Sequence, residues 1–320
     1  MTQVHAKDIS LKFSNPFTAL DGSARASVNF DGWQTLWFNT GTLCNIECAN
    51  CYINSSPTND DLLYMSVKDI EPFLFEMKTD PKPAKEIGFT GGEPFMNPEM
   101  INMARLCLED GYEVLILTNA MQPMMRPRVQ LGLLELHAKF GNKLALRISL
   151  DHFRKDEHDL ERGDGSFEKT LIGMRWLRDH GFSMSVAGRA LWLDGDEKAR
   201  AGYAALFEKE GFDIDAHDLK QTVLFPEMDE AVDVPEITTA CWGILGKKPN
   251  DIMCSSSRMV VKRKSTNEAR VIACTLLPYD KEFDLGSSLK EARKPVYLNH
   301  PHCAKFCVLG GASCSGGGNV

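Results

Sequence analysis

The chain lacks several features that would assign it to a common class of protein. It has no run of about 18 or more apolar residues, so we expect no membrane-spanning helix. Residues 1–10 contain no apolar signal-peptide core, and we therefore expect a cytoplasmic protein. The 44 acidic residues outnumber the 36 basic ones, and the resulting net charge of −8 argues against nucleic acid or a membrane as the main partner.

Cysteine, in contrast, is abundant, with ten residues in a chain of 320. Disulfide bonds are rare in the cytosol, where clustered cysteines more often bind metal or take part in redox chemistry. Four cysteines lie at positions 44, 48, 51 and 107, and the other six lie from position 241 onward. This distribution predicts two metal-binding regions separated by a long scaffold without cysteines.

Strand-like and helix-like segments alternate over residues 34–225, a range that includes the first cysteine group and ends before the second. Such alternation predicts an α/β fold with a parallel sheet and helices on its outside. A full eight-unit barrel needs about 250 residues, so about six units predict a partial (β/α)6 TIM-like barrel. We therefore divide the chain into an N-terminal extension (1–33), the barrel (34–225) and a small cysteine-rich α+β appendage (226–320).

The first motif consists of Cys44, Cys48 and Cys51, spaced C-x3-C-x2-C and followed directly by Tyr52. It comes after the first predicted strand, where parallel barrels collect their reactive groups. Three thiolates can hold three irons of a [4Fe–4S] cluster and leave the fourth iron open to a ligand. A zinc or dithiol site made from Cys48 and Cys51 is the alternative, but it leaves Cys44 without a role.

Two further motifs end the second and fourth predicted strands. The run Gly91-Gly92-Glu93-Pro94 contains two glycines that let the backbone approach a ligand closely, although a bare tight turn would look the same. In Ser149-Leu150-Asp151, the first and third side chains share one face of the strand. A hydroxyl and a carboxylate on one face suit ribose hydroxyls, and a strand end with a capping Asp is the alternative.

In order and position, these motifs resemble those of the radical S-adenosylmethionine (radical SAM) enzymes. The resemblance implies a [4Fe–4S] cluster on the three N-terminal cysteines, with S-adenosylmethionine (SAM) on its open iron. It also implies contacts of residues 91–94 with the SAM amino group, of residues 149–151 with the ribose, and of Tyr52 near the adenine. By its position near the end of the fifth predicted strand, Arg189 is implied by the same resemblance to pair with the SAM carboxylate. The candidate cofactor-binding residues are Tyr52, Gly91, Gly92, Glu93, Pro94, Asn119, Ser149, Asp151 and Arg189.

The resemblance further implies an activity. Reductive cleavage of SAM would give a 5′-deoxyadenosyl radical that removes a hydrogen atom from a substrate, with a flavodoxin- or ferredoxin-type protein as electron donor. No leader-peptide-binding segment is visible before Gln34, so we expect a small-molecule substrate that is oxidised or rearranged. The alternatives are a peptide-modifying maturase and a non-catalytic iron–sulfur carrier. A GTP-cyclising enzyme of molybdenum-cofactor synthesis is disfavoured, because its C-x2-C-x13-C pattern and terminal Gly-Gly are missing.

The second cysteine group resembles a shortened SPASM/twitch extension, which carries auxiliary iron–sulfur clusters. The resemblance implies one auxiliary [4Fe–4S] cluster held by Cys254 and Cys274, completed by two of Cys303, Cys307 and Cys314. A zinc knot and disulfide bonds are the alternatives. Cys107 and Cys241 are expected to be packed as small apolar residues.

Overall fold

A computed structural model describes residues 11–190, 195–226 and 232–311 of the chain. Its centre is a nine-stranded sheet with the strand order β10-β9-β8-β2-β3-β4-β5-β6-β7, and β1 pairs separately with β11. The strands are β1 (Ser27–Val28), β2 (Thr35–Asn39), β3 (Glu86–Thr90), β4 (Glu113–Thr118), β5 (Leu144–Ser149), β6 (Ser183–Ala190), β7 (Thr222–Pro226), β8 (Ser257–Lys262), β9 (Ala269–Ile272), β10 (Asp284–Gly286) and β11 (Val296–Tyr297).

Six strands, β2 to β7, lie side by side in chain order and pair in parallel. The helices are α1 (Val67–Lys78), α2 (Met100–Glu109), α3 (Pro127–Phe140), α4 (Lys155–Arg162), α5 (Ser166–Asp179), α6 (Asp196–Glu210) and α7 (Cys241–Leu245). Each of β2 to β6 is followed by at least one helix before the next strand begins, which confirms the predicted partial (β/α)6 barrel. None of the described helices is both long enough and apolar enough to cross a bilayer.

Local sequence signals explain where several elements begin. Ser66 precedes α1, and the Asp69 carboxylate accepts hydrogen bonds from its backbone N–H and its hydroxyl at 2.8 and 2.7 Å. Pro127 occupies the first position of α3, where a missing N–H costs nothing. Strands β2 and β3 bury their apolar side chains on both faces, as parallel strands covered by helices do.

The C-terminal part of the chain extends the sheet of the barrel. Strand β8 pairs in parallel with β2, and β9 and β10 continue the sheet through antiparallel pairs. The first barrel strand is therefore covered by β8 and exposes no hydrogen-bonding edge. The boundary at residue 226 stays a prediction about domain organisation, and the shared sheet shows that the two parts are joined through backbone hydrogen bonds.

Helix α4 is an element that the sequence analysis did not anticipate. Its residues are almost all polar, so it has no apolar stripe of helical period. Its buried face consists instead of His158, Asp159 and Glu161. A helix that buries polar groups must satisfy them with tertiary partners, and those partners lie in the site described next.

Candidate active site

An open cleft with a cavity volume of about 120 Å³ lies at the carboxyl ends of the barrel strands. The motifs that were separate in the sequence meet in its walls. The cleft is lined by Cys44, Cys48, Asn50, Cys51, Tyr52, Ile53, Ser55, Thr90, Gly91, Gly92, Leu117, Thr118, Asn119, Ser149, Asp151, Arg162, Ala187, Arg189 and Phe225.

The cysteine loop is held by hydrogen bonds that point its thiols into the cleft. The backbone N–H of Ser55 donates to Sγ of Cys51 at 3.3 Å, and the side-chain amide of Asn119 lies 4.0 Å from Sγ of Cys44. Burial raises the pKa of Cys44 to about 12 and that of Cys48 to about 11. Buried thiols of this kind lose their protons when a metal takes the place of those protons.

The spacing of the thiols bears on which metal group they suit. Among the residues that the structure describes, no three His, Cys, Asp or Glu side chains converge on the position of a single metal ion. A cubane cluster does not require such convergence, because each cysteine binds a different iron. The arrangement of the described thiols is therefore compatible with the predicted cluster.

Gly91 and Gly92 form a cradle that has no room for side chains. A Cβ atom on Gly92 would lie 2.4 Å from the carbonyl oxygen of Leu43, and one on Gly91 would lie 2.6 Å from that of Gly41. Gly91 also has a φ of +144°, which other residues rarely adopt. The two glycines thus bring the end of β3 into direct contact with the loop that carries Cys44.

Glu93 and Pro94 do not line the cleft. The Glu93 carboxylate is buried behind the cradle, where it accepts hydrogen bonds from the Thr118 hydroxyl and the Asn119 backbone N–H, both at 2.8 Å. Burial raises the pKa of Glu93 to about 7, against the effect of these hydrogen bonds. In this structure Glu93 joins the ends of β3 and β4 and so positions Asn119, rather than presenting its carboxylate to a ligand.

Arg189, at the end of β6, is held by a residue of helix α4. Its Nη1 donates to Glu161 at 2.7 Å and to the carbonyl oxygen of Asn50 at 2.9 Å. Glu161 also accepts from the backbone N–H of Asn50 at 3.0 Å and from its side-chain amide at 2.7 Å. Glu161 therefore fastens the cysteine loop and Arg189 to each other.

Asp151 forms a second buried ion pair with α4. Arg162 donates from Nε and Nη2 to the two carboxylate oxygens at 2.6 and 3.0 Å. Burial lowers the pKa of Arg162, but Asp151 and Cys48 outweigh this effect and raise the pKa above its usual value. The guanidinium therefore stays charged beside the thiols. His158 accepts a hydrogen bond from the Asp151 backbone N–H, and burial lowers its pKa to about 4, which keeps its ring neutral.

Some buried polar atoms of the cleft residues have no partner. Nε and Nη2 of Arg189 and the hydroxyl of Ser55 form no hydrogen bond within the described parts of the chain. Unpaired buried donors are costly, and they occur where a ligand completes their hydrogen bonding. The free edge of a guanidinium is suited to a carboxylate. Three thiols, a glycine cradle and an unpartnered guanidinium edge fit a cluster with an amino-acid-containing nucleotide.

Comparison with known proteins agrees with this geometry. The radical SAM superfamily matches residues 38–196, a range that contains the cysteine loop, the glycine cradle and both ion pairs. Residues 38–196 are a radical SAM domain. This family implies a [4Fe–4S] cluster and SAM as cofactors, and the residues of the cleft fit both.

Two curated proteins illustrate the range of relatives. The antilisterial bacteriocin subtilosin biosynthesis protein AlbA of Bacillus subtilis is 28% identical over 270 residues, which cover 79% of this chain and 57% of AlbA. The AdoMet-dependent heme synthase of Methanosarcina barkeri is 27% identical over 144 residues, 45% of this chain and 38% of that protein. The chain thus spans little more than half of the length of AlbA.

Solved structures share the fold at low sequence identity. Streptococcus suis SuiB bound to S-adenosylmethionine has a TM-score of 0.58 and 12% identity, over 80% of this chain and 63% of that one. The structure of anSMEcpe with bound AdoMet has a TM-score of 0.56 and 14% identity, over 81% of this chain and 77% of that one. These similarities confirm the fold of the radical SAM domain.

The structure brings most of the candidate residues together. The three N-terminal cysteines, Tyr52, Gly91, Gly92, Asn119, Ser149, Asp151 and Arg189 line one cleft, whereas Glu93 and Pro94 lie outside it. Their individual roles toward SAM stay predictions. Glu161 and Arg162 were missed, because α4 carries no apolar pattern. Acidic residues in its first turn and Arg162 in its last turn, before Gly163, were the signals of a helix at this place.

Proposed function

We propose that this chain is a radical SAM enzyme that modifies a peptide substrate. The observation that carries the radical chemistry is the cleft, in which three thiols, the glycine cradle and the unpartnered edge of Arg189 face one space. A carrier of iron–sulfur clusters needs thiols but no nucleotide pocket, so the cleft argues against that alternative.

The substrate class is supported by the extent of the similarity to AlbA. That similarity covers 270 residues and therefore continues beyond the 38–196 range of the radical SAM domain. The similarity to the heme synthase covers only 144 residues. SuiB and anSMEcpe, which share the fold, have structures with bound precursor peptide SuiA and peptide Cp18Cys. The peptide alternative is thus better supported than the small-molecule substrate, which remains the second candidate.

Different residues of the cleft would bind different parts of the two cofactors. Cys44, Cys48 and Cys51 would bind the cluster, and the free edge of Arg189 would pair with the SAM carboxylate. The backbone around Gly91 and Gly92 would meet the amino group. Ser149 and Asp151 would face the ribose, and Tyr52 and Ile53 would pack near the adenine. Arg162 holds Asp151 in place and keeps positive charge beside the thiolates.

When bound, the two cofactors supply a one-electron reductive cleavage of the sulfonium C–S bond, which gives methionine and a 5′-deoxyadenosyl radical that takes a hydrogen atom from the substrate. The protein binds the cofactors and holds them in position. The glycine cradle and the Glu161 network fix the loop that carries the thiols.

The proposed function is tested by separating substrate classes. The anaerobically reconstituted protein is incubated with SAM and dithionite, together with short peptides encoded beside its gene or with small polar metabolites. We expect peptide-dependent formation of 5′-deoxyadenosine and a change in the mass of the peptide. Stimulation by a small metabolite alone would favour the second candidate. If the protein did not bind SAM, the non-catalytic iron–sulfur carrier would be the remaining candidate function.

An auxiliary cluster in the C-terminal region is also part of this proposal. Cys254 lies in the turn before β8, Cys274 follows β9, and Cys303 begins the π-helix Cys303–Leu309. Burial raises the pKa of Cys303, and Cys274 and Cys254 raise it further, so the three thiols lie within electrostatic range of one another. Cys307 lies on the same π-helix, and Cys314 lies outside the described residues.

The buried side chain of Arg258 is an argument for an anionic group beside Cys254 and Cys274. It is fully buried, and its guanidinium donates to the carbonyl oxygens of Ser257 and Ala292 at 2.8 and 2.9 Å. Within the described ranges no carboxylate pairs with it, and a buried cation without an anion is costly. Burial lowers the pKa of Arg258 to about 10, and Cys254 and Cys274 act against this shift. A cluster with thiolate ligands would supply the missing negative charge.

Metal analysis of two cysteine variants tests the auxiliary cluster. Cys254→Ala should lower the iron content by about four atoms per chain, because a cubane missing a ligand is readily lost. Cys241→Ala is the control, since Cys241 lies on the nearby short helix α7 outside the proposed set. Equal iron in both variants, or zinc in place of iron, would contradict an auxiliary iron–sulfur cluster at Cys254.

A further inference from the structure

A groove on the outside of the barrel has no part in the site described above. It runs between the 3₁₀ turn Pro94–Met96, the start of α2 and the start of α3. Its lining combines an apolar centre with a basic rim. The centre is formed by Met96, Ile101 and Leu131, and the rim by Arg105, Arg126 and Arg128.

The rim carries positive charge that the protein does not neutralise. Arg126 and Arg128 are exposed, and neither side chain forms an ion pair or hydrogen bond within the described ranges. Glu135 is the acidic residue of the lining, and it pairs with Arg105 at 3.0 Å. In a chain with a net charge of −8, two uncompensated arginines side by side form a local positive field.

The centre of the groove has the character of a protein interface. Leu131 is 60% exposed on the surface of α3, although it is a large apolar side chain. Beside it, Gly132 lets α3 approach α2, since a Cβ atom there would lie 2.7 Å from a methyl carbon of Ile101. An apolar centre surrounded by arginine is typical of surfaces that bind another protein.

The groove also lies close to the cysteine loop. Asn45, next to Cys44, contacts the sulfur of Met121 at 3.9 Å. Arg126 lies five residues after Met121, at the N-cap position of α3. Burial raises the pKa of Tyr64. Arg126 lowers this pKa and Cys44 raises it, so the Tyr64 ring lies within electrostatic range of both side chains. On the other wall, Asn97 donates to the carbonyl oxygen of Thr40 at 3.0 Å and so connects the groove to the end of β2.

From this placement we propose that the groove docks the protein that delivers the electron for SAM cleavage, and that this partner is a one-electron carrier with an acidic face. The inference rests on the proposed function, because that reaction consumes one electron from outside the chain. The reduced carrier gives up one electron and leaves oxidised. Opposite charges would steer its approach, and the apolar centre would hold it beside the loop that carries Cys44.

The test compares two reductants on three proteins. The parent, the variant R126E/R128E and the control K209E/K220E are reduced with flavodoxin or with dithionite, which needs no docking surface. The control carries the same change in net charge at exposed lysines near the amino end of β7, an edge strand of the sheet that does not line the groove. The rates of cluster reduction and of 5′-deoxyadenosine formation are measured at low and high salt.

We expect the flavodoxin-driven rates of R126E/R128E to fall about tenfold at low salt, with less salt dependence than the parent shows. Its dithionite-driven rates and iron content should match those of the parent. Equal flavodoxin-driven rates in the two variants would overturn the assignment of the groove. A higher KM for the peptide with dithionite would overturn it in favour of peptide binding. A parent protein that does not cleave SAM with dithionite would overturn the proposed function instead.

Discussion

Replacement of Cys48 by alanine should remove about four irons per chain and lower 5′-deoxyadenosine formation at least about 100-fold. The thiol lines the cleft together with Cys44 and Cys51, and the loop offers no other sulfur for the cluster. SAM binding should be lost in the same variant, since its amino and carboxylate groups would no longer find the open iron. Iron analysis, electron paramagnetic resonance of the reduced protein and equilibrium binding measure the three effects.

Cys107→Ala is the matched control for this prediction. Cys107 is fully buried in α2, away from both cysteine groups, so its loss changes packing but removes no proposed ligand. The control should keep its iron and its activity, with a modest loss of stability from the small cavity. If Cys48→Ala kept the iron content and SAM affinity of the control, the assignment of the first cluster would be wrong.

Glu161→Gln should lower the free energy of unfolding by about 3 kcal/mol, because it leaves the buried guanidinium of Arg189 without its negative partner. The side chains of this pair are only 8% and 4% exposed. The ion pair stabilises the polypeptide fold without a cofactor, so urea unfolding of the metal-free protein is the appropriate measurement. In the reconstituted protein we also expect weaker SAM binding, since Glu161 holds both Arg189 and the cysteine loop.

The chain offers a close comparison in Glu168→Gln. Glu168 also pairs with an arginine, Arg175, at 2.6 Å, but its side chain is 55% exposed. Pairs in contact with water contribute little, so this variant should lose less than about 1 kcal/mol. Similar losses in the two variants would show that Glu161 has no special role in joining the cysteine loop to β6.

Much of the barrel could be predicted because its signals are local. Apolar runs mark β3 and β4 in the sequence, and Ser66 and Pro127 mark the starts of α1 and α3. The cleft followed from the same reasoning, because parallel strands place their carboxyl ends at one edge. The spacing of the cysteines predicts a cluster site on the N-terminal loop, because three thiols within eight residues share one loop in any fold.

Other features depend on residues that are far apart in the chain. No local pattern shows that Glu161 holds Asn50 and Arg189, or that Glu93 faces Thr118 rather than the cleft. Likewise, β8 pairs with β2 more than 200 positions away, an arrangement that apolar patterning leaves open.

The amino-acid order alone was enough to define the fold class, the cysteine loop and most of the cleft, because spacing and periodicity act over short stretches of backbone. Folding in three dimensions settled which charges are paired inside the cleft, which donors of Arg189 stay available, and which arginines remain exposed beside the cysteine loop. These outcomes depend on desolvation and on ion pairs between distant segments, and such contacts exist only after the sheet has assembled.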